Sequence, residues 1–384
     1  MTPPAALAAG FSALGLDLLR TLGAGTGNLV VSPISIASAL ALTWAGARGE
    51  TADEIARALR LSGPRSETLT AASTLAKAVS SIPEVELALA NRLFTSAKTK
   101  LEPEFLATTE RAFRAGADTL DFASDPEAAR RHINAWTARA TKDRVVELLP
   151  SGSIDRDTRL VIDTAVYLNA KWAEPFEKER TRPASFHAPS GARRVQTMSG
   201  VKYTSPYTIR PELRAIELPY AGQGADMLVI VPADAGNFGA LEASLSPDRV
   251  ASIAGGLDQT GEVLVKLPRV DLAAGAGVSL VPGLRAAGID AALDRERADF
   301  TGITDPPSRD DRLFVADAFH AASIRIDEAG TEAAAATAVI FGPLGAAPQT
   351  PPTFEVDRPF FYFVRERTTG AVLFAGKVVA PAEE

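Results

Sequence analysis

The chain has 384 residues, a net charge of −7, and 46% hydrophobic against 23% charged residues, the proportions of a soluble globule. Its negative charge disfavours a nucleic-acid partner. It contains no cysteine, which excludes disulfides, thiolate nucleophiles and Cys-zinc sites, so the fold stands on packing alone.

In chain order, residues 5–22 are apolar, but no positive charge precedes them and Asp17 and Arg20 interrupt them. Leu7, Phe11, Leu14, Leu18 and Leu22 fall on one face at helical spacing, which predicts an amphipathic first helix and neither a signal sequence nor a membrane span. Gly23, Gly25 and Gly27 form a glycine cluster ahead of a strand-like run. A dinucleotide loop has to follow a strand and open a helix, so this cluster reads as a turn. Helical periodicity marks residues 35–44, 51–59, 66–79, 102–113 and 126–140. Strand-like runs come later, at 160–172, 214–218, 227–231, 262–268, 313–327, 360–367 and 371–379. Helices gathered early and strands late predict an α+β fold. No repeat or linker divides the chain, and the one low-complexity stretch, 343–353, comes too late for the remainder to bury a core of its own. The expectation is a single domain, 1–384, with an exposed loop near its end.

Enzymatic chemistry finds few residues to work with. There are three histidines, at 132, 187 and 320, with no nucleophile elbow, no His-Glu-x-x-His pair and no phosphate loop. His132 and His187 read as surface or loop residues. No metal or cofactor site is expected. A basic helix for a sulfated polysaccharide is also missing: residues 71–90 hold one lysine, and Arg130, Arg131, Arg139, Lys142 and Arg144 alternate with acids.

The most informative stretch runs from Asp327 to Thr337, Asp-Glu-Ala-Gly-Thr-Glu-Ala-Ala-Ala-Ala-Thr. Propensity alone makes an Ala run helical. Here, however, it follows the strand-like alternation of Ser323 to Asp327 and ends at Val339-Ile340-Phe341-Gly342-Pro343, too soon for a stable isolated helix. With Gly330 as hinge and methyl-sized side chains after it, the segment suits insertion between two existing strands.

This arrangement resembles the proximal hinge of inhibitory serpins, and the resemblance extends over essentially the whole chain. Asn28-Leu29-Val30-Val31-Ser32-Pro33-Ile34-Ser35-Ile36 is similar to the family segment that leaves a strand and opens a buried helix. Val166-Tyr167-Leu168-Asn169-Ala170-Lys171-Trp172 is similar to its central strand, and Asp357-Arg358-Pro359-Phe360 with Leu373-Phe374-Ala375-Gly376-Lys377-Val378 to its final hairpin. The resemblance implies three β-sheets, a five-stranded central sheet, about nine helices and an exposed reactive-centre loop at about 328–353. It also implies inhibition of a serine protease as a suicide substrate, by covalent acyl-enzyme trapping and loop insertion. The hinge is then Glu328, Gly330, Thr331, Glu332, Ala333, Ala334, Ala335, Ala336 and Thr337. The resemblance also places Ser32, Ser35, Asn169, Trp172 and His320 in a cluster that holds the central strands closed yet releasable, while the plain reading of His320 is a buried histidine with its hydrogen bonds satisfied.

Family spacing from Glu328 puts the scissile bond at Leu344-Gly345, with Phe341-Gly342 as second candidate. Leucine points to chymotrypsin-, elastase- or subtilisin-like targets. A non-inhibitory carrier or chaperone and a cross-class inhibitor of cysteine proteases are the alternatives. The expected molecule is a monomer whose partner is the target protease, with no membrane, no nucleic acid and no heparin-type activator. Its compartment is extracellular by resemblance, with the cytoplasm open because no signal sequence is recognised.

Overall fold

The computed structural model describes residues 3–23, 27–113, 115–272, 277–306, 308, 311–331 and 351–383. Helices dominate the first part: α1 (Pro3–Gly23), β1 (Leu29–Val31), α2 (Pro33–Gly46), α3 (Gly49–Ala58), α4 (Arg65–Ser80), β2 (Val85–Ser96), α5 (Pro103–Phe113), β3 (Gly116–Leu120) and α6 (Pro126–Ala140). Strands β4 (Leu160–Lys171), β5 (Arg182–Ala188), β6 (Gly191–Lys202), β7 (Tyr207–Ile209), β8 (Leu213–Pro219) and β9 (Ala225–Pro232) follow. Then come α7 (Phe238–Ser244), α8 (Pro247–Gly255), β10 (Val263–Pro268), β11 (Val270–Leu272), β12 (Val278–Ser279) and α9 (Val281–Ala286). The chain closes with β13 (Val315–Ala322), β14 (Ile324–Ile326), β15 (Gly330–Thr331), β16 (Thr353–Glu355), β17 (Phe360–Glu366) and β18 (Val372–Val378).

The strands form three sheets, as the α+β reading with three sheets expects. One runs β1-β18-β17-β9-β8-β7, and a second β16-β10-β6-β5. The third and largest is the central sheet. Across it lie β3, β2, β4, then β13 continued by β14, then β12 and β11 on the far edge. That is five positions, with the two-residue β15 wedged between β14 and β4.

Local chemistry accounts for the elements that frame this sheet. Helix α2 has Pro33 in its first turn, and Ser32 caps it by accepting the Ser35 N–H. Its last carbonyls are taken by Arg65, which donates to Trp44 O, Ala45 O and Ala47 O. In the β17–β18 hairpin, Gly370 supplies the positive φ of the turn, 75°. Gly376 leaves room for Tyr362, whose hydroxyl would lie 2.3 Å from an added Cβ. By length and composition α1 is apolar enough to cross a membrane, which the sequence reading did not grant it; in the fold its apolar face is buried against α2, α4 and α9.

Two apolar cores flank the central sheet. The larger joins its inner face to α1, α2 and the six-stranded sheet. The smaller lies between its outer face and α6, with Ile133, Phe94, Val161, Ala165 and Phe319 as members. Alternation along β4 sends Ile162, Thr164 and Val166 inward and Val161, Asp163 and Ala165 towards α6.

Candidate functional site

The outer edge of β4 is occupied differently at its two ends. At the Lys171 end, the chain leaves β14 in a tight turn: the Asp327 N–H donates to Gly330 O at 2.9 Å, and the Ala329 N–H to the Asp327 carboxylate at 2.9 Å. Gly330 and Thr331 then pair antiparallel with Lys171 and Ala170, while Thr331 also faces Ile326 of β14. An added Cβ on Gly330 would lie 2.1 Å from Ala170 O and 2.7 Å from Lys171 Cα. Only glycine lets the backbones approach this closely.

Several side chains pin this turn. Thr331 is fully buried, and its hydroxyl lies 2.7 Å from the Tyr220 hydroxyl. Tyr220 stacks flat on Trp172, ring centroids 4.7 Å apart, and the Trp172 indole N–H donates to Asp327 O at 2.9 Å. Main-chain N–H groups of Trp172 and Phe176 donate to Ala329 O and Glu328 O. The Glu328 side chain is 3% exposed and takes Arg269 in a 2.6 Å ion pair. Burial alone would raise its pKa, but hydrogen bonds from Thr181 and Arg269 outweigh this and hold it below the usual carboxylate range.

At the other end β4 bonds directly to β13, in parallel, from Leu160 opposite Val315 to Val166 opposite Ala322. His320 sits opposite Thr164 in this seam. The Ser32 N–H donates to His320 Nε2 at 3.0 Å, so that nitrogen carries no proton. The proton is therefore on Nδ1, 2.7 Å from Thr164 Oγ1, which lies 3.4 Å from Phe319 O. Burial pushes the His320 ring down to about 4, in keeping with a neutral imidazole. Ser32 Oγ donates to Leu373 O at 2.7 Å and Ser35 Oγ to Asn91 at 2.7 Å. The cluster thus ties α2, β2, β4, β13 and β18 together across the β4–β13 seam.

Ser32, Ser35 and His320 are brought together, and Trp172 packs against the turn that holds Glu328, Gly330 and Thr331. Asn169 is a correction. It lies opposite Glu86 of β2, away from His320. An odd residue cannot share the inner face with Thr164, because side chains alternate along a strand. Thr164 is the partner that His320 has. Glu332, Ala333, Ala334, Ala335, Ala336 and Thr337, and both candidate bonds, Leu344-Gly345 and Phe341-Gly342, lie outside the described residues. Tyr220, Arg269, Thr181, Thr164 and Asn91 were not singled out in the sequence. The signal for Thr164 was parity along β4; Tyr220 and Arg269 become visible only once their strands are placed beside the hinge.

Residues 9–381 match the family model described as Serpin (serine protease inhibitor). The chain belongs to the serpin family. It is 31% identical over 370 residues to human Serpin B8, with 95% of this chain and 97% of the relative covered. It is 33% identical over 381 residues to the horse leukocyte elastase inhibitor, covering 95% and 97%. Among solved structures, Serpin48, a highly specific serpin of the insect Tenebrio molitor, superposes with a TM-score of 0.85 at 27% identity, covering 99% of this chain and 98% of that one. This serpin therefore shares sequence with inhibitors of proteases and fold with the family at large.

Proposed function

We propose that this serpin inhibits a serine protease by offering the loop after Thr331 as substrate and inserting its cut end between β4 and β13. The observation that carries this reading is that Gly330 and Thr331 already fill the first two places of such a strand, while β4 and β13 remain directly bonded beyond them.

Continuing the register of Gly330 opposite Lys171 and Thr331 opposite Ala170 brings Thr337 opposite Thr164 in the product. Thr331, Ala333, Ala335 and Thr337 then turn to the inner face, where small side chains have to be buried. Strand addition of this kind is an established outlet for serpin loops. The protease supplies the nucleophile and forms the acyl-enzyme, and this chain supplies the motion. From Gly330 to Leu344 an extended chain spans about 46 Å at ~3.3 Å per residue, enough to carry the tethered enzyme past the length of β4. Distortion of its oxyanion hole then stops deacylation. With the cut at Leu344-Gly345, the targets are chymotrypsin-, elastase- or subtilisin-like. Incubation with a protease panel, followed by mass measurement of the covalent adduct and of the released C-terminal peptide, tests both parts. A stable adduct with one of these enzymes is expected; cleavage without any adduct overturns the trapping mechanism, and the peptide mass locates the bond.

A further inference from the structure

A second polar element crosses the same seam on its opposite face. Asp163 of β4 is fully buried beneath α6, in the small core that also holds Phe319 of β13 and Ile133 of α6. Its Oδ2 lies 2.6 Å from Thr137 Oγ1, and its Oδ1 has no hydrogen-bond partner. Thr137 Oγ1 lies 3.0 Å from Ile133 O as well. A hydroxyl has one proton. If Thr137 gives that proton to the Ile133 carbonyl, which can only accept, the short contact to Asp163 needs a proton from the carboxyl group. The geometry fits a neutral acid donating to Thr137, which donates in turn to α6.

The surroundings agree. From β2, Arg92 stands opposite Asp163, but its guanidinium turns to Asp118 of β3 at 2.8 Å and lies 5.2 Å from the centre of the Trp136 ring of α6. From α6, His132 packs edge-on against Phe94. From β13, Asp317 accepts the Ser279 hydroxyl. In the segment after α6, Lys142 pairs with Glu86 and Arg144 lies over Tyr167. No cation is in ion-pair contact with Asp163 among the described residues. Burial raises its pKa to about 8 against the opposing pull of Thr137 and Arg92.

We propose that Asp163, held as the neutral acid, is a proton-operated latch that fastens α6 to β4 while the seam is closed, and that strand insertion releases its proton. This rests on the insertion reading above. A strand entering between β4 and β13 carries Phe319 about 4.8 Å further from Asp163 and widens the sheet under α6. The carboxyl group then gains access to water, and its proton passes to solvent. Insertion is favoured up to tenfold per pH unit between the acid's pKa in the inserted form and about 8, and levels off above that.

The test compares the full-length uncut protein with the same chain cut once in its loop, as wild type and as Asp163→Asn. Proton release on cutting is read near pH 7 by calorimetry in buffers of different ionisation enthalpy. Hydrolysis of the loop bond contributes equally to both proteins, so the wild type is expected to release close to one proton more. Asp163→Val, neutral at every pH and well suited to a strand, replaces the Asn variant if that one fails to fold. Equal proton counts in wild type and variant overturn the latch. If cutting leaves the wild type no more heat-stable, it is the insertion reading that fails.

Discussion

The two ends of β4's outer edge carry opposite solutions to one problem. At the Lys171 end the edge is taken by Gly330 and Thr331, held by Tyr220, Trp172 and the Arg269–Glu328 pair. At the Leu160 end it is taken by β13, held by the His320–Thr164 contact on one face and packed under α6 on the other. For the insertion proposed above, a sheet with both ends occupied by β13 would have no place to start opening, and one with both ends occupied by the segment after β14 would have nothing left to gain. The starting point is set by sterics, in a glycine that alone fits against Ala170. The remaining seam is closed by the β4–β13 ladder and the His320–Thr164 contact, with apolar side chains of both strands packed on either face.

The largest expected effect comes from blocking the open end. Thr331→Arg places a guanidinium where no part of the native side chain is exposed, at a cost of several kcal/mol. Covalent complex with the target protease should fall to near zero while cleavage continues, as read by gel and mass analysis. An unchanged complex yield contradicts insertion.

Two buried groups at the closed end respond to pH in opposite senses. The His320 pKa is lowered from 6.5 to about 4 in the folded protein. Its contribution is therefore complete above about 6.5 and is lost as pH falls towards 4, by on the order of 3 kcal/mol. The Asp163 shift has the opposite sign, with stability lost as pH rises from about 4 to about 8. Proton NMR should show the His320 ring still neutral at pH 5.5; a His320 ring that titrates near 6.5 would remove it from the seam.

Arg269→Ala leaves Glu328 buried without its cation. Because Arg269 is 44% exposed, the loss is screened, and about 1–3 kcal/mol is expected, seen as a drop of a few degrees in the melting point of the uncut form. The smallest effect belongs to Tyr220→Phe. It removes one hydroxyl contact to Thr331 and should cost about 1 kcal/mol, with faster amide exchange at Thr331 and Ala170 and little change elsewhere.

Much of this was legible in the sequence, for physical reasons that differ by element. Helix α6 falls at 126–140 as expected, because Asp125 caps it and Pro126 opens it. Strand β4 was visible as a long apolar run because it is buried on both faces. Strand β2 was not among the clearest runs, since Ala88, Ala90, Asn91 and Arg92 dilute its strand propensity. The run 313–327 appeared as one strand and is two, β13 and β14, separated at Ser323. Within the site, Gly330 and Trp172 carry distinctive chemistry. Asn169 was assigned by resemblance alone, and strand parity excludes it, because Thr164 sits on the face that His320 shares. Asp163 could not be placed from sequence, since nothing in a run of apolar residues says which face will lie under α6.

The central claim is that the uncut chain is held short of its best strand pairing and that cutting the loop releases it. A strand of about a dozen residues gaining both ladders at roughly 0.5–1.5 kcal/mol per hydrogen bond adds on the order of ten kcal/mol. Differential scanning calorimetry of the full chain before and after a single cut between residues 341 and 347 measures this directly. The account predicts a melting temperature higher by tens of degrees in the cut form; an unchanged or lower midpoint would contradict it and point to a serpin that does not insert its loop.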